Sequence, residues 1–257
     1  MSASYFLSPH VHVCVAGRQV VLLDLERDKY LALAQEHPVG RWVRGWPVPP
    51  PGAQSRAQEG GEPVARSDSV VPAESGAGAD VGGNALLSKM ISQGLLVTDP
   101  ALGKEAAPVV VDLPKVAVVE YDLNVRPQTT LLQLRRLFTG YLAAKQSLKN
   151  RPIKEVVWAV QERRRRAQPV SAVDIGTVRL LVTAFVHLRP LCYTAREACL
   201  LDSLTLLNFL ARYGVYPHWI FGVKTDPFYA HCWVQQGELA FNDTPDYLKG
   251  FTPILVV

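Results

Sequence analysis

Residues 196–243 read REACLLDSLTLLNFLARYGVYPHWIFGVKTDPFYAHCWVQQGELAFND, and this stretch decides the fold of the C-terminal part of the chain. Its leucines recur at a three-to-four spacing, which predicts an amphipathic helix over residues 197–213. The helix is expected to end at Gly214, because glycine readily adopts the left-handed capping conformation. Cys199 falls in the first turn of this helix. There the free backbone N–H groups and the helix dipole favour the thiolate, which is the nucleophilic form of cysteine.

A strand hairpin is predicted after the helix. The aromatic and β-branched runs cover residues 218–223, 230–235 and 238–242. Gln236 and Gly237 are expected to form the turn between the last two runs. In that register His231 lies opposite Asn242, so that Asp243 is one residue beyond the partner of His231. A carboxylate at this place can fix the imidazole tautomer and leave the other ring nitrogen facing a thiol.

Cys199, His231 and Asp243 are therefore the candidate catalytic residues. Taken singly, a helical Cys is usually a small apolar core residue, a strand His is usually a satisfied polar residue, and an Asp after Asn is usually a turn former. Taken together, they supply a nucleophile, a base and a group that orients the base. This order of residues on a helix start and two strands is typical of papain-like and transglutaminase-like enzymes.

The same region resembles the leader peptidases of lasso-peptide biosynthesis, the B proteins. The residues that carry the resemblance are Ala198-Cys199-Leu200, Ser203-Leu204, Leu207, Gly222-Val223, Pro227-Phe228, Ala230-His231, Trp233-Val234 and Asn242-Asp243. The resemblance implies a transglutaminase-like cysteine protease in which Cys199 is the nucleophile, His231 the general base and acid, and Asp243 the orienting residue. The chain departs from the pattern at Cys232, where a small residue is expected, and at Gln235, where an acidic residue is common.

Length and composition allow one large domain or two small ones, and a location in the cytoplasm is expected. The chain has 257 residues, 48% of them hydrophobic, which is enough for either arrangement. It has no run of 18 apolar residues that would span a membrane, and the start MSASYFLSPH lacks the features of a secretory signal. The four cysteines show neither paired nor metal-ligand spacing and are expected to be free thiols. No metal and no cofactor is expected.

Charge gives a weaker indication of partners. The net charge is +4 and the pI is about 8.9, with much of the excess in the run Arg163–Arg166. Such a run usually ends a solvated helix, where cations complement the dipole. No aromatic residues are interleaved with it, so nucleic acid is not an expected partner. An acidic segment of a peptide or partner protein fits better.

The N-terminal residues 1–100 predict a small winged-helix-like domain. Strands are expected over residues 12–15, 19–25 and 29–34, followed by a helix capped by Asn84 and closed by Gly94, and by a returning strand over 95–98. Residues 46–83 are rich in Pro, Gly, Ala and Ser and are expected to be a largely disordered insertion.

This first domain resembles the PqqD-like domain that recognises leader peptides. The resemblance is carried by Val21–Leu25 and Tyr30–Leu33. It implies that a leader adds as an extra strand beside the third strand, with its side chains against the helix that follows. The implied binding residues are Tyr30, Leu31, Ala32, Leu33, Leu87, Met90 and Ile91. The alternative is that these strands only pack on the second domain.

Residues 101–115 are expected to be a linker, and residues 116–257 the catalytic domain. Helices are predicted from Thr129 or Thr130 to Leu148, from Pro152 through the arginine run, and from Ser171 to His187, and their leucine-rich stripes are expected to be core. With a last strand near the C-terminus, the expected fold class is α+β, with helices and an antiparallel sheet in a papain- or transglutaminase-like domain.

The sequence thus predicts a cytoplasmic cysteine peptidase that binds the leader of a ribosomally made precursor and cleaves it from the core peptide during lasso-peptide maturation. The resemblance implies an ATP-dependent, asparagine-synthetase-like macrolactam synthetase as a partner. Two alternatives stay open: an acyl or amide transferase that uses the same three residues, and a leader-binding adapter without catalysis.

Overall fold

A computed structural model describes residues 4–47, 70–72, 79–118, 129–167, 174–193 and 198–257. The chain divides into two compact units. The first comprises Met1–Val110, Val223–Tyr229 and Thr252–Leu255, and the second Val111–Gly222, Ala230–Phe251 and Val256–Val257. None of the helices in the described ranges is long and apolar enough to cross a membrane.

The first unit is built on a strand meander. The meander strands are β2 (Val11–Ala16), β3 (Gln19–Asp24) and β4 (Lys29–Ala34), after a short β1 (Phe6–Leu7). They pair antiparallel in sequence order, as predicted. Gly17, with a φ of 57°, and Asp28, with a φ of 53°, form the two turns, which require left-handed backbone. The apolar side chains of this meander face a core that includes Val13, Leu22 and Leu33.

The outer edge of β4 is occupied by the chain itself. Strand β5 (Val70–Pro72) pairs parallel with β4 and places Val71 beside Leu31. This strand lies within the predicted insertion 46–83, most of which, at 48–69 and 73–78, is outside the described residues. The third strand of the meander therefore has neighbours on both sides, whereas the sequence predicted a free edge.

Helix α1 (Ala79–Ser92) begins earlier than predicted. Asn84 lies inside the helix and not at its cap. A side chain at Gly83, which the sequence placed in the glycine-rich insertion, would come within 3.0 Å of Pro38 and 3.2 Å of Trp42. Glycine there permits close packing against the 3₁₀ helix Pro38–Arg41. The helix ends at Gly94 with a φ of 69°, as predicted.

The strand after α1 does not join the meander. Strand β6 (Leu96–Val97) pairs antiparallel with β1 in a separate two-stranded sheet. Part of the predicted linker also packs on the first unit, because Lys104 bridges to Leu7 and Ala106 is fully buried.

The second unit contains the long helices, and apart from β7 (Val116–Ala117) the strands of the larger sheet follow them in sequence. The helices are α2 (Leu131–Asn150), α3 (Ile153–Arg166), α4 (Ile175–Leu188) and α5 (Cys199–Ala211). The strands are β7 (Val116–Ala117), β8 (His218–Thr225), β9 (Phe228–Gln236), β10 (Leu239–Ala240) and β11 (Thr252–Val256), with a short helix α6 (Pro245–Leu248) before β11. The sheet order is β11-β8-β9-β10-β7. Strand β7 is parallel to β10, so the sheet is mixed and not purely antiparallel as predicted.

Local signals located the helix starts well. Thr130 and Gln133 form a reciprocal capping box at α2, and Pro152 precedes α3. Helix α4 is capped by Asp174, whose carboxylate accepts from the Thr177 N–H, and not by Ser171, which lies outside the described residues.

The leucine-rich stripe predicted to be core is partly wrong for α2. Leu131 is 85% exposed and Phe138 is 50% exposed. The buried positions are Leu137, Gly140 and Ala144. Gly140 lies against Asn208 of α5, and the Gly140 carbonyl accepts a hydrogen bond from Asn208 Nδ2 at 3.2 Å. Small residues thus let α2 approach α5 closely.

The arginine run ends α3 as predicted, and its members are bonded within the chain. Arg163 donates to the Asn208 amide oxygen at 2.8 Å, and Arg164 contacts both ring nitrogens of His218 at 2.6 Å. Arg165 and Arg166 both bond to Glu162. Contacts within the chain therefore explain why arginine stands at these four positions.

Candidate active site

Cys199 is the first residue of α5, as the leucine spacing predicted. The preceding residue, Ala198, has no side chain that can cap the helix, so the first backbone N–H groups stay available to an anion. Its carbonyl accepts the first helical bond from Asp202 at 2.8 Å. Gly214, with a φ of 75°, follows the helix as predicted. The thiol of Cys199 is partly exposed, as a nucleophile must be.

His231 and Asp243 form the pair that the sequence predicted. The His231 Nε2 donates to Asp243 Oδ2 at 2.6 Å, and the two side chains are 10% and 21% exposed. This bond leaves Nδ1 as the imidazole nitrogen for the Cys199 thiol, with which His231 is also hydrogen-bonded. The three candidate residues therefore converge at one place in the second unit.

The register that led to this prediction is wrong by two residues. Gln236 pairs with Leu239 and Gln235 with Ala240, so the turn residues are Gly237 and Glu238. Gly237 has a φ of 55°, which fixes it as the first loop residue. Strand β10 ends at Ala240, and Asp243 therefore reaches His231 from the segment that follows the strand.

Electrostatics favour a thiolate and imidazolium pair. A hydrogen bond from the Cys232 thiol, together with the bond and charge of His231, lowers the pKa of Cys199 to about 4, although burial opposes this. Burial would lower the pKa of His231, but its bonds to Asp243 and Cys199 outweigh burial and raise that pKa to about 9. Burial raises the pKa of Cys232 well above its usual value, so Cys232 remains a protonated donor. A low-pKa cysteine beside an imidazolium is the arrangement of an activated nucleophile.

Aromatic rings enclose the imidazole. The ring centroids of Tyr247 and Phe251 lie 5.3 and 5.2 Å from that of His231, and the Trp233 ring lies parallel to it at 6.3 Å. These rings restrict the orientation of His231 and shield it from water. Sequence reasoning missed Tyr247 and Phe251, because α6 and the turn after it carry no motif.

A buried polar group lies behind the three residues. Asp202 is 3% exposed, Ser203 is fully buried, and Asn242 is 9% exposed. Asn242 was quoted for the resemblance but received no role, and Asp202 and its partner Arg189 were missed. The one sequence feature that could have indicated this group is a charged residue, Asp202, on the apolar side of the cysteine helix, one turn after Cys199.

The predicted leader-binding residues differ in accessibility. Leu33 and Met90 are 1% and 0% exposed and belong to the core of the first unit, as does Leu87 at 9%. Ile91 is 38% exposed. Tyr30, Leu31 and Ala32 are partly buried, and the Tyr30 ring packs on Phe228 with centroids 5.5 Å apart. Only some of the seven residues thus offer side chains to a ligand.

The fold and site place part of this chain in a known class. Residues 139–256 match the transglutaminase-like superfamily, so α5, the hairpin and β11 lie in a transglutaminase-like domain of mixed helix and sheet. This superfamily includes cysteine peptidases and transferases.

A comparison with curated proteins gives a more specific similarity. Over 51 residues the chain is 40% identical to the microcin J25-processing protein McjB of Escherichia coli, a stretch that covers 20% of this chain and 24% of McjB. The chain thus matches about a quarter of the length of this curated relative. No solved structure matches the chain.

Proposed function

We propose that this protein is a cysteine endopeptidase that removes the leader from a ribosomally made precursor peptide during lasso-peptide maturation. The observation that carries the proposal is the convergence of Cys199, His231 and Asp243, with a 2.6 Å bond between the last two. The similarity to McjB, whose name describes processing of microcin J25, supports the choice of substrate class.

The proposed reaction follows from the protonation states of Cys199 and His231. The Cys199 thiolate attacks a backbone carbonyl of the precursor and forms a tetrahedral oxyanion, which the Cys199 N–H at the start of α5 is placed to stabilise. His231, held as the imidazolium by Asp243, gives its proton to the departing amine, and a thioester remains. His231 then accepts a proton from water, which attacks the thioester and releases the leader carboxylate.

Leader binding is proposed for the first unit. Because β5 pairs with the edge of β4, a leader strand either displaces β5 or pairs with its outer edge. Ile91 and the partly buried Tyr30 and Leu31 are the predicted binding residues that retain exposed surface. The released core peptide would pass to an ATP-dependent macrolactam synthetase.

The test is cleavage of the cognate precursor by the full-length protein, followed by mass spectrometry. Cys199→Ala is expected to lower the cleavage rate at least about 1,000-fold, since a triad nucleophile has no substitute, while leader binding is retained. The matched control is Cys192→Ala, because Cys192 is a partly buried free thiol whose pKa is raised by burial.

Four outcomes separate the candidate functions. Hydrolysis to a free leader carboxylate supports the peptidase, whereas capture of the leader as an amide by added amine, at the expense of hydrolysis, indicates a transferase. Cleavage by Cys199→Ala at the wild-type rate would contradict both enzymatic functions. Leader binding without cleavage by the wild-type protein would identify an adapter.

A further inference from the structure

We infer that a buried clamp, formed by Asp202, Ser203 and Asn242, positions Asp243 and thereby aims His231 at Cys199. The inference rests on the proposed function for its catalytic meaning and on side-chain contacts for its geometry. The clamp residues are positioning residues, because the hydrogen bonds of their side chains join them to one another and to the neighbouring backbone and side chains.

Asn242 joins two elements. Its Nδ2 donates to Asp202 Oδ2 at 2.8 Å and to Ser203 Oγ at 3.1 Å, both on α5. Its Oδ1 accepts from the backbone N–H of Val234 on β9 at 2.9 Å. The side-chain amide of Asn242 thus uses both donors and its acceptor to tie the residue before Asp243 to the helix and to the strand.

Asp202 is anchored from the opposite side. Arg189 Nη1 donates to both of its carboxylate oxygens, at 3.1 and 3.2 Å, and the Tyr193 hydroxyl donates to Oδ1 at 2.9 Å. A buried carboxylate of this kind is costly without such donors. Asp202 therefore has a fixed position from which it holds Asn242.

Ser203 extends the clamp to the strand that carries the imidazole. Its hydroxyl donates to the backbone carbonyl of Cys232 at 3.2 Å, the residue after His231. Ser203 is also one helical turn from Cys199 and lies on the same face of α5. The clamp thus contacts the helix of Cys199, the strand of His231 and the segment of Asp243.

The clamp is needed because the sheet does not hold Asp243. Strand β10 ends at Ala240, and the backbone bond from the Phe241 N–H to the Val234 carbonyl, at 2.9 Å, precedes Asp243 by two residues. Beyond that bond, the side chain of Asn242 fixes the residue before Asp243, and the Thr244 N–H donates to Asp243 Oδ1 at 3.1 Å. Without the contacts of Asn242, the 2.6 Å bond between His231 and Asp243 loses this support.

The test uses a pair of near-isosteric exchanges in the full-length protein. Asn242→Asp keeps the acceptor for Val234 but turns the donor that faces Asp202 into a second carboxylate oxygen. Asp202→Asn has the opposite effect, placing an amide donor where Asn242 or Arg189 already donates. The double variant Asp202→Asn/Asn242→Asp restores one donor opposite one acceptor.

Two measurements separate positioning from simple stability. The first is the pH dependence of Cys199 alkylation by iodoacetamide, read by mass spectrometry of the Cys199 peptide, for which Asn242→Asp should raise the midpoint. The second is precursor cleavage, for which kcat should fall about 100-fold, a loss typical of a displacement of about 1 Å, with KM little changed. The double variant should recover about tenfold of this loss, as coupled neighbours do.

The matched control is Asn208→Leu. Asn208 lies on the same helix as Asp202 and Ser203, donates to Gly140 O at 3.2 Å and accepts from Arg163 at 2.8 Å, away from the clamp. It should lower the melting temperature without moving the alkylation midpoint. Tyr193→Phe is a milder variant that removes one donor to Asp202, and it should shift the midpoint by less, in the same direction as Asn242→Asp.

The inference is overturned if the folded fractions of Asn242→Asp and Tyr193→Phe both keep the wild-type alkylation profile, or if the double variant recovers nothing. Failure of the proposed function would look different. In that case the wild-type protein would cleave no precursor, while the alkylation midpoint would still respond to the clamp variants.

Discussion

Cys199 is ionised through its neighbours as well as through its place on the helix. The sequence attributed the thiolate to the free N–H groups of the first turn, which is a general effect of modest size. Two neighbours, Cys232 and His231, also lower the pKa of Cys199, and the first of these has the larger effect. Cys232, a departure from the expected residue pattern, therefore favours the thiolate of the candidate nucleophile.

Replacing Cys232 by Ala is expected to raise the pKa of Cys199. In the wild-type protein the thiolate forms as the pH rises through about 4. Loss of a donor to the thiolate favours the thiol, so the midpoint of alkylation at Cys199 must move to higher pH. Iodoacetamide labelling between pH 3 and pH 9 measures this midpoint. Cys14→Ala, which removes a buried thiol of the first unit, is the control that should leave it unchanged, and a midpoint unmoved in Cys232→Ala would refute the role of Cys232.

The residue types of the catalytic group were readable from the sequence, but their support was not. Cys199, His231 and Asp243 follow from chemistry and spacing along a short stretch. The clamp depends on Arg189 and Tyr193, which lie before the cysteine helix, and no local pattern relates their side chains to Asn242. A buried polar network exists only once the tertiary contacts are known.

At the scale of elements, the β9–β10 hairpin shows why an incorrect register still led to the right pair. The predicted turn was one residue too early, which displaced the pairing by two residues. The pair still forms because Asp243 lies beyond Ala240, the last paired residue of β10, where the strand register no longer fixes the direction of a side chain.

The packing of β8 on β9 gives a prediction for Gly222. A Cβ at this position would lie 2.7 Å from the Trp233 ring and 3.2 Å from Phe251, two residues that surround His231. Gly222→Ala should therefore destabilise the protein by about 1–3 kcal/mol, the usual cost of overpacking, and should also lower cleavage. Chemical denaturation measures the free energy of unfolding.

Gly140→Ala is the matched control for that experiment. Its Cβ would meet its nearest neighbour at 3.5 Å, an ordinary contact, and alanine is favoured over glycine inside a helix. The control should be neutral or stabilising. Equal losses in both variants, or no loss in Gly222→Ala, would contradict the packing explanation.

Helix starts were predictable where the cap is local and unpredictable where it is not. The capping box of α2 is formed by Thr130 and Gln133, which are close in sequence. The buried face of α2 depends on how α5 packs against it, and the face includes only part of the leucine stripe, at Leu137, together with Gly140 and Ala144. Periodicity identifies a helix. Whether its apolar face or a row of small residues is buried depends on the element that packs against it.

For the whole molecule, the chain's own β5 at the edge of β4 is the feature with the clearest consequence for peptide binding. Composition predicted disorder for residues 46–83. The parallel pairing of Val70–Pro72 with Tyr30–Ala32 joins residues that are far apart in sequence, and no local pattern indicates it. An edge that already has a partner binds a further strand only by exchange or by extension.

Replacing Val70, Val71 and Pro72 together by glycine tests which of these occurs. Glycine lowers strand propensity, so β5 should release the edge and a labelled leader peptide should bind more tightly if it takes the place of β5. Fluorescence anisotropy measures the Kd. The same change at Val109–Val111, which form no strand, is the control. A weaker affinity would indicate that the leader extends β5, and an unchanged affinity would place the leader elsewhere.

The short β10 has an evolutionary consequence. Gly237 and Glu238 form an exposed turn, and the acid of the catalytic group is fixed by an amide side chain and not by the backbone ladder. Insertions and deletions in that turn should therefore be tolerated over time, while the Asn-Asp dipeptide at 242–243 and the acid on the cysteine helix should be inherited together. Homologues would then vary in the length of the hairpin but rarely at Asp202, Asn242 and Asp243.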